Sequence, residues 1–157
     1  MSENDFETGG AAVLNRGQVR VVRLTGLAGV IIGIAMVLVA IAAWIFVSAE
    51  LRSENITISD DAPILAGQQV GGPISAYVQA EVIRSHSLDM AGGKTFAELD
   101  REDPLRATVM NGSFLRASLF TSVISYGLAL LAMGVGVMFI LFGWSLRTVI
   151  PPLRKTS

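Results

Sequence analysis

A chain of 157 residues has room for one modest soluble domain, or for a few membrane spans with a connecting piece. Hydrophobic residues make up 52% and charged ones 16%, below the quarter or so usual in soluble domains, which favours the second. A net charge of −1 leaves no overall footprint for nucleic acid, and the absence of cysteine excludes disulfides, thiolate metal sites and cysteine nucleophiles.

Residues 1–22 read as an N-terminal tail, disordered at its start, with Arg16 and Arg20 towards its end and Arg23 just beyond it. From 24 to 49 there is no ionisable side chain, and from 117 to 146 there is again no acid, base or histidine. A bilayer core of roughly 30 Å needs about 20 helical residues, and both runs exceed that. Neither contains proline. Hydrocarbon cannot satisfy unpaired backbone groups, so each run is expected to be a continuous α-helix. The expected spans are 23–48 and 116–147. The small-residue stretch Val47-Ser48-Ala49 resembles a signal-peptidase site. Signal-peptide cores run to about 7–15 residues, however, so this longer one reads as a retained anchor.

The segment 49–115 is the expected head. Its "NITIS" (55–59) alternates isoleucine with polar residues and could be a short strand, followed by a turn at "DDAP". Pro73 suits the first turn of a helix over "PISAYVQAEVIRSHSLDM", which Gly92-Gly93 would close. Ile74, Val78 and Val82 share a face of that helix with Tyr77 alongside, although Glu81 intrudes on it. Asp103-Pro104 then pairs an N-cap with a first-turn proline. The helix from there runs into the second span, so at 1.5 Å per residue a helix over 104–147 would be roughly 66 Å long and extend beyond the bilayer. Residues 148–157 complete the chain as a second tail.

"GGKT" (92–95) raises the question of a phosphate-binding loop. A Walker-type loop needs glycine at 88, where Leu88 stands, and a preceding strand rather than a helix. Thr95 and Glu98 instead fit a T-x-x-E capping box. His86 is the only histidine, which excludes two-histidine metal sites within one chain. Glu98, Asp100, Glu102 and Asp103 lack the alternating order of a calcium loop. The expectation is a non-enzyme with no catalytic residues, no cofactor and no metal.

The spans do carry small residues in register. Gly26, Gly33 and Ala40 recur every seven residues with Gly29 beside them, and Ala129, Gly136 and Gly143 do the same with Ala132 adjacent. Small residues allow close backbone approach between helices in lipid, so these eight are the candidate helix-packing interface. Trp44 and Trp144 suit interfacial anchoring. Arg16, Arg20 and Arg23 before the first span, and Arg147, Arg154 and Lys155 after the second, place both termini on the cytoplasmic side and the head outside.

"NITISDDA", "GPISAYVQAEVI" and "GKTFAELDREDPLRATVMNGSFLRASLFTSV", with the two flanking spans, resemble a family of small actinobacterial two-span membrane proteins. Its members often carry the label aromatic ring-opening dioxygenase. Such chemistry needs an iron site with several histidines, which a single histidine does not supply, so the resemblance brings no catalytic residues to this chain. The expected fold is therefore all-α: a two-helix membrane hairpin with a small, mainly helical extracytoplasmic head. The expected role is an accessory or structural subunit of a larger membrane assembly in the bacterial cytoplasmic membrane, with a respiratory complex as the preferred host. Its partners would be other membrane subunits and the bilayer, not nucleic acid. An extracytoplasmic ligand-binding or sensor protein, or a homo-oligomeric pore, is the alternative.

Overall fold

A computed structural model describes residues 15–149. The expectations for the start of the N-terminal tail, and for Arg154 and Lys155, fall outside them. Three α-helices make up the regular structure: α1 (Arg16–Ser53), α2 (Pro73–Met90) and α3 (Arg106–Val149). Among the described residues there is no strand. α1 and α3 are long and apolar enough to cross a membrane. The chain divides into two units, one built from the helical stretches up to Val37 and from Gly134 onward, the other from Leu38–Met133.

α1 begins well before the expected span, and its own sequence explains why. The Asn15 side-chain oxygen accepts the Gly17 N–H at 3.3 Å, while Gln18 Oε1 accepts the Asn15 N–H at 2.9 Å. Between them Asn15 and Gln18 satisfy two of the donors that a helix start leaves open, the Asn15 oxygen taking the Gly17 and not the Gln18 N–H. At the other end Asn55, with φ 52°, turns the chain out of the helix in the left-handed conformation that asparagine tolerates.

In the larger unit, 56–70 folds back on itself. The expected strand is reduced to a single antiparallel bridge, Thr57 to Gln69. Ile58 N–H donates to the Gln68 carbonyl at 2.9 Å and Val70 N–H to that of Ile56 at 2.8 Å, too few rungs to make a sheet. The loop's inward side chains, Ile58 and Val70, are fully buried. They join Leu51 of α1, Ala76, Val78 and Ala80 of α2, and Leu119 and Tyr126 of α3 in one core.

α2 starts at Pro73, and Ser75 Oγ accepts the N–H groups of Gly71 and Gly72 at 3.1 and 3.0 Å. It closes in a Schellman motif: Gly93 N–H reaches the Leu88 carbonyl at 2.7 Å, with Gly92 and Gly93 both at positive φ. The expected apolar face of α2 needs correction. Val78 and Val82 are buried, but Ile74 is 65% and Tyr77 49% exposed, while Ala76, Gln79 and Ala80 are buried instead. The helix is covered from two sides, so a single stripe does not describe it. The 56–70 loop reaches Gln79 and His86, and α3 meets Tyr77, Glu81 and Ser87. Glu81 is accommodated by Arg84 and by Arg116 of α3, each at 3.4 Å.

α3 is announced by Asp103, whose carboxylate accepts the Leu105 N–H at 2.8 Å. Regular helix starts at Arg106, two residues past the expected start and equal in length to the expected helix, at 44 residues.

Candidate functional site

In the smaller unit the small residues of α1 and α3 meet each other. A Cβ placed on Gly33 would stand 2.5 Å from the Gly136 carbonyl oxygen, and one on Gly136 2.8 Å from that of Gly33. The same reciprocity links Gly26 and Gly143, at 2.8 and 2.5 Å. The two stretches are therefore antiparallel and touch backbone to backbone, a proximity that any side chain would prevent. Gly29 lies at the margin, half-buried, its Cβ position 3.5 Å from the Phe139 carbonyl. Arg23, Trp144 and Arg147 border one cleft of this unit, so the basic ends of the two helices lie side by side. In the larger unit Ala40 and Ala129 are buried and Ala132 half-buried.

Trp44, expected to be an interfacial anchor, packs edge-on against Tyr126 at 4.6 Å between ring centres. The Tyr126 hydroxyl shares a 2.8 Å hydrogen bond with Ser48 Oγ, and both residues are buried. These three residues escape a sequence reading because nothing local links positions 78 apart in the chain.

"GGKT" offers no anion site. Both the N–H and the hydroxyl of Thr95 donate to the Glu98 carboxylate at 2.8 Å, so an acid already occupies the place a phosphate would need. These bonds hold the Glu98 carboxyl below its usual range. Only this half of the expected capping box forms; the Glu98 N–H goes to the Thr95 carbonyl. Arg106 fastens the same turn, stacking over the Phe96 ring at 4.2 Å and donating to the carbonyls of Phe96 and Leu99. His86 Nε2 lies 2.6 Å from the Asp61 carboxylate, which its hydrogen bond holds below the usual value. Among the described residues no group of three or more His, Asp or Glu could hold a metal.

Both depressed carboxyls are ionised in the folded chain above the ordinary carboxylate pKa, so what they add is present there and is lost as pH falls through their lowered values. Acidification through those lowered values is therefore expected to raise exchange at the Thr95 amide, which donates to Glu98, while the buried Ile58 and Val70 keep the 56–70 loop in place. Amide hydrogen exchange at about pH 2 and pH 7, corrected for intrinsic rates, checks this. Unchanged protection at Thr95 would refute it.

One cavity in the larger unit, of about 560 Å³, is large enough for a small molecule. Its apolar walls come from Phe46, Val47 and Leu51 of α1, Ile56 of the loop, Ile83 of α2 and Leu119 of α3. Glu50, near the end of α1, and Glu54, just past it, stand on one side, and Ser118, Thr121, Ser122 and Ser125 of α3 on another. Gln79, 8% exposed, completes the lining. No protein-family model, no curated protein and no solved structure matches the chain.

Proposed function

We propose that the chain is a membrane helical hairpin carrying a small extracytoplasmic head, and that it serves as a non-catalytic accessory or structural subunit of a larger membrane assembly. The observation that carries the membrane part is the exposure of the apolar helices. Only 11% and 17% of their most apolar stretches are buried, whereas the core helix of a soluble protein is mostly buried. Ile31, Leu38, Leu131 and Phe142 are each about 60% exposed, as suits side chains that face lipid or neighbouring helices. Gly26 and Gly33 of α1 are engaged with Gly143 and Gly136 of α3, which favours a retained anchor over a cleaved leader and an internal seam over a pore built on these same glycines.

The basic ends of the two helices border one cleft, which supports placing both termini in the cytoplasm. Single cysteines at Ser2 and Ser157 are expected to resist a membrane-impermeant thiol reagent in intact cells, while one at the exposed Ser85 reacts. Labelling at 157 without labelling at 85 would reverse the orientation.

The subunit role rests on the outward apolar faces of both long helices. A complex of the respiratory kind is the preferred host. Purification in mild detergent is expected to bring down larger membrane subunits in fixed stoichiometry. Recovery of a self-oligomer alone would favour the pore, and recovery of a monomer with a bound small molecule the sensor.

A further inference from the structure

We propose that the cavity of the larger unit binds a membrane amphiphile with an ammonium head, and that Glu50, Glu54 and Gln79 select the head. The ligand assignment rests on the membrane reading above. The cavity is amphipathic along the chain's own polarity. Phe46, Val47, Thr121 and Ser125 belong to the charge-free runs, whereas Glu50, Glu54 and Gln79 lie beyond them. An apolar chain lodged among the first group puts its head beside the second.

The polar lining decides the charge of that head. Thr121, Ser122 and Ser125 donate their hydroxyl hydrogens to the carbonyls of Ala117, Ser118 and Thr121, so their oxygens face the cavity as acceptors only. Glu50 and Glu54 add two carboxylates, and among the described residues neither has an ion-pair partner. An ammonium group brings the positive charge that such a lining lacks. A carboxylate or phosphate monoester would meet repulsion instead.

Gln79 is the independent sign of a ligand. Its side chain is more than nine-tenths buried and lines the cavity, and its Oε1 accepts the Ser59 N–H at 3.4 Å. Its amide NH₂ has no partner among the described residues, yet is not sealed from the cavity. That open donor stands at the cavity wall, where an oxygen close to the ligand's nitrogen, as in an amino-alcohol head, would meet it in place of water.

The test uses the full chain reconstituted in phosphatidylcholine vesicles and two photoactivatable hexadecyl probes, one with an aminoethanol head and one with a carboxylate head. Cross-linked peptides are mapped by mass spectrometry. The ammonium probe is expected to label 46–56 and 115–125 saturably, and about tenfold more than the carboxylate probe, as two partly exposed charge interactions allow. The near-isosteric Glu50→Gln/Glu54→Gln double variant should erase that preference, and Gln79→Leu should weaken labelling about fivefold, the worth of one hydrogen bond. Equal labelling by both probes, or a preference that survives the double variant, would overturn the proposal, as would labelling no stronger there than at the exposed Ile31 and Leu128. Flotation of the same vesicles reads the membrane assignment separately. A chain that floats without head-group preference overturns the ligand alone; a chain that does not float overturns both.

Discussion

Gly33→Leu is expected to separate the helical stretches of the smaller unit while leaving the apolar character of α1 intact. A Cβ there stands 2.5 Å from the Gly136 carbonyl oxygen and 2.9 Å from the Ile140 amide nitrogen. These are backbone atoms, which cannot rotate aside as a flexible side chain can. Overpacked cores lose about 1–3 kcal/mol, and a leucine against rigid backbone belongs at the upper end of that range. Gly33→Ala, which adds only the clashing Cβ, should lose a smaller part of it. Gly136→Leu should resemble Gly33→Leu, because its Cβ meets the Gly33 carbonyl at 2.8 Å and Val37 and Met36 at about 3 Å. Val137→Leu is the control: the side chain is 44% exposed and turned about 100° away, so the extra methylene has room. Thermal unfolding in detergent, followed by circular dichroism, gives the order. If Gly136→Leu and Val137→Leu are equally stable, the backbones do not approach as described.

The stripes behind that prediction are visible in the sequence, because a seven-residue repeat of small residues is a property of residue order alone. Which glycine faces which was not visible. Gly26 with Gly143 and Gly33 with Gly136 is a matter of register between two helices, and one chain read by itself has no register. Element ends were similarly readable where special backbone chemistry marks them. Pro73, Gly92-Gly93 and Asp103-Pro104 each restrict φ, free it or supply a cap, and the helix ends lie there or within two residues. The start of α1 is equally legible in Asn15-x-x-Gln18, set among arginines that also read as a charged flank of the span.

What failed was inference from a single helical face. Helical spacing puts Ile74 and Tyr77 with Val78 on one face, but the 56–70 loop and α3 cover α2 from two directions, so that face is not the buried one throughout. That loop lies close in sequence to α2, yet its bonds to Gln79 and His86 leave no periodic trace. The cavity was illegible for the same reason: α1, the loop, α2 and α3 each contribute residues whose meanings become joint only once they are folded together. Gln79 on its own reads as an ordinary polar helix residue.

Tyr126→Ala should be among the most destabilising single changes in the larger unit. Tyr126 is 2% exposed, belongs to the core and holds Trp44 against its ring. Truncating a buried aromatic costs about 3–5 kcal/mol, because contacts are lost and the void is only partly refilled. Tyr126→Phe keeps the ring and removes only the bond to Ser48, which should cost about 1 kcal/mol. The smaller figure has a physical reason beyond the single bond: a serine in a helix can return its hydroxyl to the carbonyl four residues back, here that of Trp44, and avoid being orphaned. Ser48→Ala should cost more, about 1–3 kcal/mol, because it leaves the buried Tyr126 hydroxyl without its partner, and adding Tyr126→Phe to it should recover part of that loss. Stability in detergent gives the cycle. Trp44 emission, read in a Trp144→Phe background, should shift to longer wavelength in Tyr126→Ala and hardly move in Tyr126→Phe. Strict additivity of the two hydroxyl changes would show that Ser48 and Tyr126 do not share a bond. A phenylalanine variant as unstable as the alanine one would show that the hydroxyl, and not the ring, holds this part of the core.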